Sequence, residues 1–180
     1  MTTFRVSIEP LRPDHADLLF EPLGDGRIYL HLEDEPPASL DALRHRYRAL
    51  AAGAPPDSGE VWLNWLVRLR ADGQPLGTVQ ATVRPRPEPS LVAWVVLPPV
   101  WGRGYGTEAV AQMLDELASG HGVELVRAEI DEGNLRSIAL ATRLGFEPIG
   151  RIPLEHSVEL VYQRSLGPED QRSIRRSSAR

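Results

Sequence analysis

The sequence predicts an α/β domain built on a mixed, mostly antiparallel sheet of seven strands flanked by about four helices. Three observations carry this. Strand-like runs outnumber helical ones along the chain. Two pairs of neighbouring runs are joined by short turns, as antiparallel hairpins require. One run, "LVAWVVL" (residues 91–97), is continuously apolar, the pattern of a strand covered on both faces, and a helical pattern follows it.

The elements follow in order. "FRVSIEPLR" (4–12) alternates apolar and polar residues and reads as the first strand. "PDHADLLFEPL" (13–23) reads as a short helix, and "GDGRIYLHL" as a glycine turn with extended chain after it. Ser39 is placed to cap a helix that runs to about Leu50. The runs 60–70 and 75–84 flank a turn with Asp72-Gly73, a strong hairpin signal. After the apolar strand, Val110, Met113, Leu114 and Leu117 recur at i, i+3, i+4 and i+7, and "SGHG" ends that helix. "ELVRAEID" (124–131) sets Val126, Ala128 and Ile130 on one face of a strand and Arg127, Glu129 and Asp131 on the other. A helix over 135–144 stops at Gly145, a good residue just past a C-terminus. "FEPIGRI" and "SVELVYQRSL" are two last strands joined by "PLEH".

Composition excludes several classes. The 180 residues include no cysteine, so disulfides and thiolate chemistry are ruled out. The five histidines fall in no metal-ligand spacing, so no metal is expected. All 20 basic residues are arginine, and a net charge of −5 argues against a general nucleic-acid binder. The opening residues lack a signal-type apolar stretch, and no run approaches the roughly 18 apolar residues of a membrane span, so a cytoplasmic protein is expected. The tail "GPEDQRSIRRSSAR" (167–180) is polar, carries four arginines and reads as disordered, leaving 1–166 as the folded domain.

The stretch "PPVWGRGYGTEAV" (98–110) carries the functional signal. Gly102, Gly104 and Gly106 stand between a strand and a helix. Glycines let backbone N–H groups approach a ligand, and a helix N-terminus aims free N–H groups and its positive dipole end at one point. That is an anion site, with phosphate the usual occupant. The rival reading is a tight turn that needs glycine for packing. A Walker A loop is excluded because the chain has no lysine. A dinucleotide fingerprint needs G-x-G-x-x-G in a parallel unit, whereas the spacing here is G-x-G-x-G and a hairpin precedes it.

"VWGRGYGTEAV" resembles motif A of the GCN5-related N-acetyltransferase (GNAT) superfamily, and "NLRSIALATRLGF" (134–146) resembles the family's second signature. The two stand in the right order with a strand between them, and the order of earlier elements fits as well. The details look most like the branch that includes ribosomal-protein N-terminal acetyltransferases. The resemblance implies an enzyme that moves acetyl from acetyl-CoA, as co-substrate, to a primary amine by direct attack. The resemblance implies an acceptor that is a protein N-terminus or a small-molecule amine, and a monomer or homodimer is expected. A non-catalytic acyl-CoA-binding or regulatory module is the alternative.

Residue by residue, the resemblance implies that the backbone of Trp94, Val95 and Val96 pairs with the pantetheine arm. It gives the pyrophosphate to the loop Gly102, Arg103, Gly104, Tyr105, Gly106 and Thr107, the pantetheine to Asn134, and a cofactor-facing position to Ser137. Trp101 replaces the usual Gln or Arg of the motif and is expected to pack. Glu129 aligns with the general base, the rival being an ordinary surface glutamate. The usual tyrosine acid is absent, since Ala141 stands there, which leaves Ser137 or water. On the acceptor side, Glu33, Asp34 and Glu35 would favour a cationic amine, or form a plain solvated loop. Trp62 and Trp65 are expected in the core, with one of them able to line the acceptor pocket instead, and Arg44 and Arg48 on a solvated helix face or against an anionic ligand.

Overall fold

Seven strands form one sheet in the computed structural model, which describes residues 4–167. The arginine tail, expected to be disordered, therefore lies outside the described residues from 168 onward. The strands are β1 (Val6–Pro10), β2 (Val61–Leu69), β3 (Pro75–Val83), β4 (Ser90–Val96), β5 (Leu125–Asp131), β6 (Glu147–Pro153) and β7 (Val158–Ser165). Their order across the sheet is β1-β2-β3-β4-β5-β7-β6. Every neighbouring pair is antiparallel except β4 with β5. The helices are α1 (Ala16–Leu19), α2 (Leu40–Ala52), α3 (Tyr105–Gly120) and α4 (Leu135–Arg143).

Local chemistry sets the boundaries. Ser39 caps α2, its Oγ accepting the Ala42 N–H at 3.1 Å. The β2–β3 hairpin turns at Asp72-Gly73, with Gly73 N–H donating to Leu69 O at 2.9 Å. Gly145 ends α4: its N–H bonds Thr142 O at 3.0 Å, and Phe146 N–H bonds Ala141 O at 3.0 Å. This pair of bonds is a Schellman motif, which satisfies carbonyls that a helix end would leave open. The periodic positions of α3, Val110, Met113, Leu114 and Leu117, are fully buried against the sheet. Val126, Ala128 and Ile130 bury the inner face of β5 as their alternation predicts.

Three expectations need correction. The helix predicted over 13–23 is broken into a 3₁₀ turn at Pro13–His15, the short α1, and a second 3₁₀ turn at Pro22–Gly24, because Pro22 cannot supply the N–H that would continue α1. The segment predicted as extended is the 3₁₀ helix Gly26–His31. It is opened by Asp25, whose carboxylate accepts the Arg27 N–H at 3.0 Å. The apolar strand is not covered on both faces: Val92 and Leu97 are buried, but Ala93 is exposed and Trp94, Val95 and Val96 are half-buried. That open stretch is the floor of a cleft.

Candidate active site

The site begins with a failure of strand pairing. β4 and β5 are in register at Ser90↔Val126 and Leu91↔Arg127 and nowhere beyond. From Val92 onward β4 is paired with β3 alone, through Val79↔Trp94, Thr78↔Val95 and Gly77↔Val96. Main-chain groups of Trp94 and Val96 face the β5 side and are left without a strand, while Val95 points to β3, and an unpaired edge is a template for an extended ligand. One such group is already used, since the Trp101 indole N–H donates to Val96 O at 2.6 Å.

The glycine loop lies at the end of this edge. Gly102 and Gly104 have φ of +74° and +81°, a region that side chains disfavour. Gly106 is closely packed instead: a Cβ there would stand 2.9 Å from Val96 Cγ2 and 3.0 Å from Leu140 Cδ1, so those side chains would have to shift. The backbone N–H groups of Gly102, Arg103, Gly104, Tyr105, Gly106 and Thr107 have no partner among the described residues. The first hydrogen bond of α3 is Glu108 N–H to Gly104 O. The result is a run of six free donors curling into a helix N-terminus.

This nest is held from outside the cleft by Arg5. Its Nη2 donates to Arg103 O at 2.8 Å, its Nε to Glu108 Oε1 at 2.6 Å, and its backbone N–H to Glu108 Oε2 at 2.7 Å. The guanidinium also covers the Tyr105 ring at 4.6 Å. Arg5 therefore ties the Arg103 carbonyl and the first turn of α3 on one side, while the N–H groups stay free.

Across the cleft, Asn134 caps α4, its Oδ1 accepting the Ser137 N–H at 3.2 Å. Its amide NH₂ remains without a partner among the described residues. The cleft encloses about 340 Å³ and is lined by Arg27, Arg136 and Arg143 and, among the described residues, by no carboxylate. Arg136 stacks on Trp101 at 4.4 Å and Arg27 lies 5.9 Å from the same ring, so Trp101 orients two cations as well as packing.

A second cavity of about 380 Å³ continues along β5 and carries the opposite charge. Its walls include Glu33, Glu129, Asp131 and Glu159 and, among the described residues, no arginine. Burial, then the neighbouring Glu129, Glu33 and Asp131 carboxylates, raise the Glu159 pKa above the ordinary value. Leu30, His31, Leu32, Trp94, Asn134 and Ser137 line both cavities and mark their junction.

The acetyltransferase (GNAT) domain profile matches residues 5–147. The chain belongs to the GNAT acetyltransferase family. No protein of curated function matches the sequence. Among solved structures, the GNAT chain resembles the ribosomal L7/L12 alpha-N-protein acetyltransferase RimL in complex with coenzyme A, at 13% identity and TM-score 0.78 over 92% of this chain and 96% of that one. It resembles aminoglycoside acetyltransferase AAC(6')-Ib in complex with coenzyme A, at 18% identity and TM-score 0.75 over 94% and 99% of the two chains. It also resembles the Vibrio cholerae spermidine N-acetyltransferase in complex with CoA and spermine, at 13% identity and TM-score 0.75 over 91% and 97%. At these identities the likeness is one of fold.

Within this GNAT chain the residues singled out from sequence fall into place unevenly. Trp94, Val95, Val96, Gly102, Gly104, Tyr105, Gly106, Thr107, Asn134 and Ser137 all line the first cavity. Arg103 does not; its side chain is exposed, and only its backbone belongs to the loop. Glu129 lines the second cavity and is exposed on β5. Ala141 is fully buried and lines neither. Of the acidic loop, Glu33 reaches the second cavity, while Asp34 is paired with Arg46 at 2.9 Å. Arg44 is engaged by Asp17 at 2.6 Å and Asp41 at 3.1 Å and is not offered to a ligand. Trp65 is buried and Trp62 half-buried, its indole N–H donating to Glu60 at 3.0 Å.

Sequence reasoning missed Arg5, His31, Arg136 and Glu159. Arg5 and Glu108 are 103 positions apart, and His31 and Asp131 are 100 apart. No local pattern joins such pairs; β-sheet order does. Glu159 was in reach, since the alternation of β7 puts it on the face opposite Leu160.

Proposed function

We propose that this chain is an acetyl-CoA-dependent N-acetyltransferase that moves the acetyl group to a primary amine by direct attack. The observation that carries the reading is the six-donor loop at the end of an unpaired β4 edge. A long ligand with an anionic end fits this shape: phosphate oxygens at the free N–H groups, a polar chain along Trp94, Val95 and Val96, and the reacting end at the junction of the two cavities. Arg136 and Arg143 supply the counter-charge that phosphates need, Arg27 being already paired with Asp25 at 2.6 Å. Gly102 to Thr107 would hold the pyrophosphate by main chain alone, and the free amide of Asn134 the pantetheine.

Bound acetyl-CoA supplies an activated thioester. The protein's own groups then do three things. The β4 backbone N–H groups polarise the carbonyl oxygen. The carboxylates of the second cavity draw in a cationic amine, and Glu129 takes the proton that turns an ammonium into a nucleophile. Ser137, at the junction, is placed to hydrogen-bond the sulfur side. Peptide N-termini, polyamines and aminoglycosides all present such an amine. The domain that does this is 1–166, in a cytoplasmic monomer or homodimer.

A second reading, an acyl-CoA-binding module without catalysis, draws on one observation: Ala141 stands at the position where the resemblance places a tyrosine acid. Thiol release from acetyl-CoA, measured with spermidine, kanamycin and an N-terminally free peptide, separates the two. Amine-dependent release supports the enzyme. CoA binding with no release from any amine supports the module.

A further inference from the structure

His31 ends the 3₁₀ helix Gly26–His31 and is the only side chain with an ionisable ring nitrogen among the six residues that line both cavities. Its ring is fixed from two directions. Nδ1 lies 2.8 Å from Asp131 Oδ1, and that same oxygen accepts the Gly133 N–H at 2.9 Å. Gly133 crowds the ring, since a Cβ there would stand 3.1 Å from His31 Cε1 and 3.3 Å from Nδ1. A carboxylate accepts and does not donate, so the hydrogen of the His31–Asp131 bond sits on Nδ1. The neutral ring then presents a lone pair at Nε2, which has no partner among the described residues. The other ionisable groups on the second cavity's walls are Glu33, Glu129, Glu159 and His156. Arg27, Arg136 and Arg143 line the first.

The proposed reaction has two protons to move. An ammonium acceptor gives up one to become an amine. A second leaves the nitrogen when the C–N bond forms, and the sulfur freed as the C–S bond breaks takes one up. The net yield is an amide, a thiol and one proton in solvent. Nothing on Ala141 can serve the sulfur, because that methyl is buried.

We propose that His31, held by Asp131, carries the second proton. Nε2 takes it from the nitrogen as the C–N bond forms and returns it to the sulfur as the C–S bond breaks, so the ring ends as it began. Glu129 handles the first proton only. Asp131 is a positioning residue: it fixes the tautomer and stabilises the transient imidazolium. The inference rests on the N-acetyltransferase reading above.

The test is kinetics of His31→Ala with acetyl-CoA and whichever of spermidine, kanamycin or the peptide the wild type uses, with and without added imidazole. A CoA-induced thermal shift equal to wild type certifies the fold, and His31→Gln repeats the comparison with a side chain that fills the site. The expected result is a loss of about 100-fold in kcat for both variants, the scale of positioned proton transfer, with an unchanged KM for acetyl-CoA. Imidazole restores part of the rate to His31→Ala and none to Glu129→Gln. Retention of kcat within about threefold, or a loss that imidazole never relieves while CoA binding is intact, overturns the proposal. Failure of the underlying reading looks different: the wild type itself would release no thiol with any amine, and the proposal would fall with it.

Discussion

Arg5 closes on Glu108 at 2.5 Å, joining the start of β1 to the first turn of α3 behind the glycine loop. The pairing resolves an electrostatic conflict. A carboxylate in the first turn of a helix stabilises the helix but repels an anion bound at its N-terminus. Arg5 neutralises Glu108 and at the same time holds the Arg103 carbonyl away from the cleft.

Arg5→Ala should therefore weaken donors that carry the pyrophosphate and spare those that lack it. The pair is partly exposed, so the effect is about 1 kcal/mol, or about fivefold in KM for acetyl-CoA. The KM for S-acetylpantetheine should not change. Equal losses with both donors would remove Arg5 from phosphate recognition.

Gly104→Ala tests the cradle itself. At φ +81° a Cβ costs about 1–2 kcal/mol, and this one would stand 3.2 Å from Arg5 Nη2. Thermal stability and CoA affinity should fall together, measured by melting with and without CoA. A variant that melts lower but keeps full CoA affinity would show that the loop's shape serves the fold alone.

Much of this site was legible in the sequence because it is built from local chemistry. The loop glycines and the Gly145 stop leave a mark within a few residues, and Asn134 was reached through the second family motif. The seven strands and their two hairpins followed from alternation and turn residues, whereas their order across the sheet did not. What stayed hidden were the long-range partnerships, Arg5 with Glu108 and His31 with Asp131, and the segment 26–31, where a capping aspartate overrode an extended reading. The openness of β4 could not be read from its apolar run, which looks the same whether a helix or a ligand covers its second face; only the family resemblance led to it.

Glu159→Gln should stabilise the protein at neutral pH while weakening a cationic acceptor. Burial and the nearby carboxylates raise the Glu159 pKa above 4.5 in the folded state. Below that value the group is neutral in both states and contributes nothing. As pH rises, the unfolded chain ionises first, so the folded state loses stability through the window just above 4.5. The variant's gain in Tm should be present at pH 7 and vanish near pH 4. A gain of equal size at both pH values would contradict the charge argument.

His15 sets an opposite dependence. It is 1% exposed, its Nδ1 accepts the Arg12 N–H at 3.2 Å, and burial, followed by the charge of Arg12, lowers its pKa below 6.5. Above 6.5 the ring is neutral in both states. As pH falls through that value the unfolded chain takes up a proton that the folded chain resists, so stability falls. His15→Gln should flatten the stability profile between about pH 6.5 and 5. An unchanged slope would mean that other groups, such as Glu9 with Arg68, carry the acid sensitivity.

The most direct measurement is melting of the wild-type protein with acetyl-CoA, CoA, ATP and NAD in parallel. At 100 times its dissociation constant a ligand stabilises by about 2.7 kcal/mol, which is about 5–10 °C for a domain of this size. The account predicts that shift for acetyl-CoA and CoA, and little or none for ATP and NAD. No response to either CoA species would contradict the reading of the glycine loop as a pyrophosphate cradle.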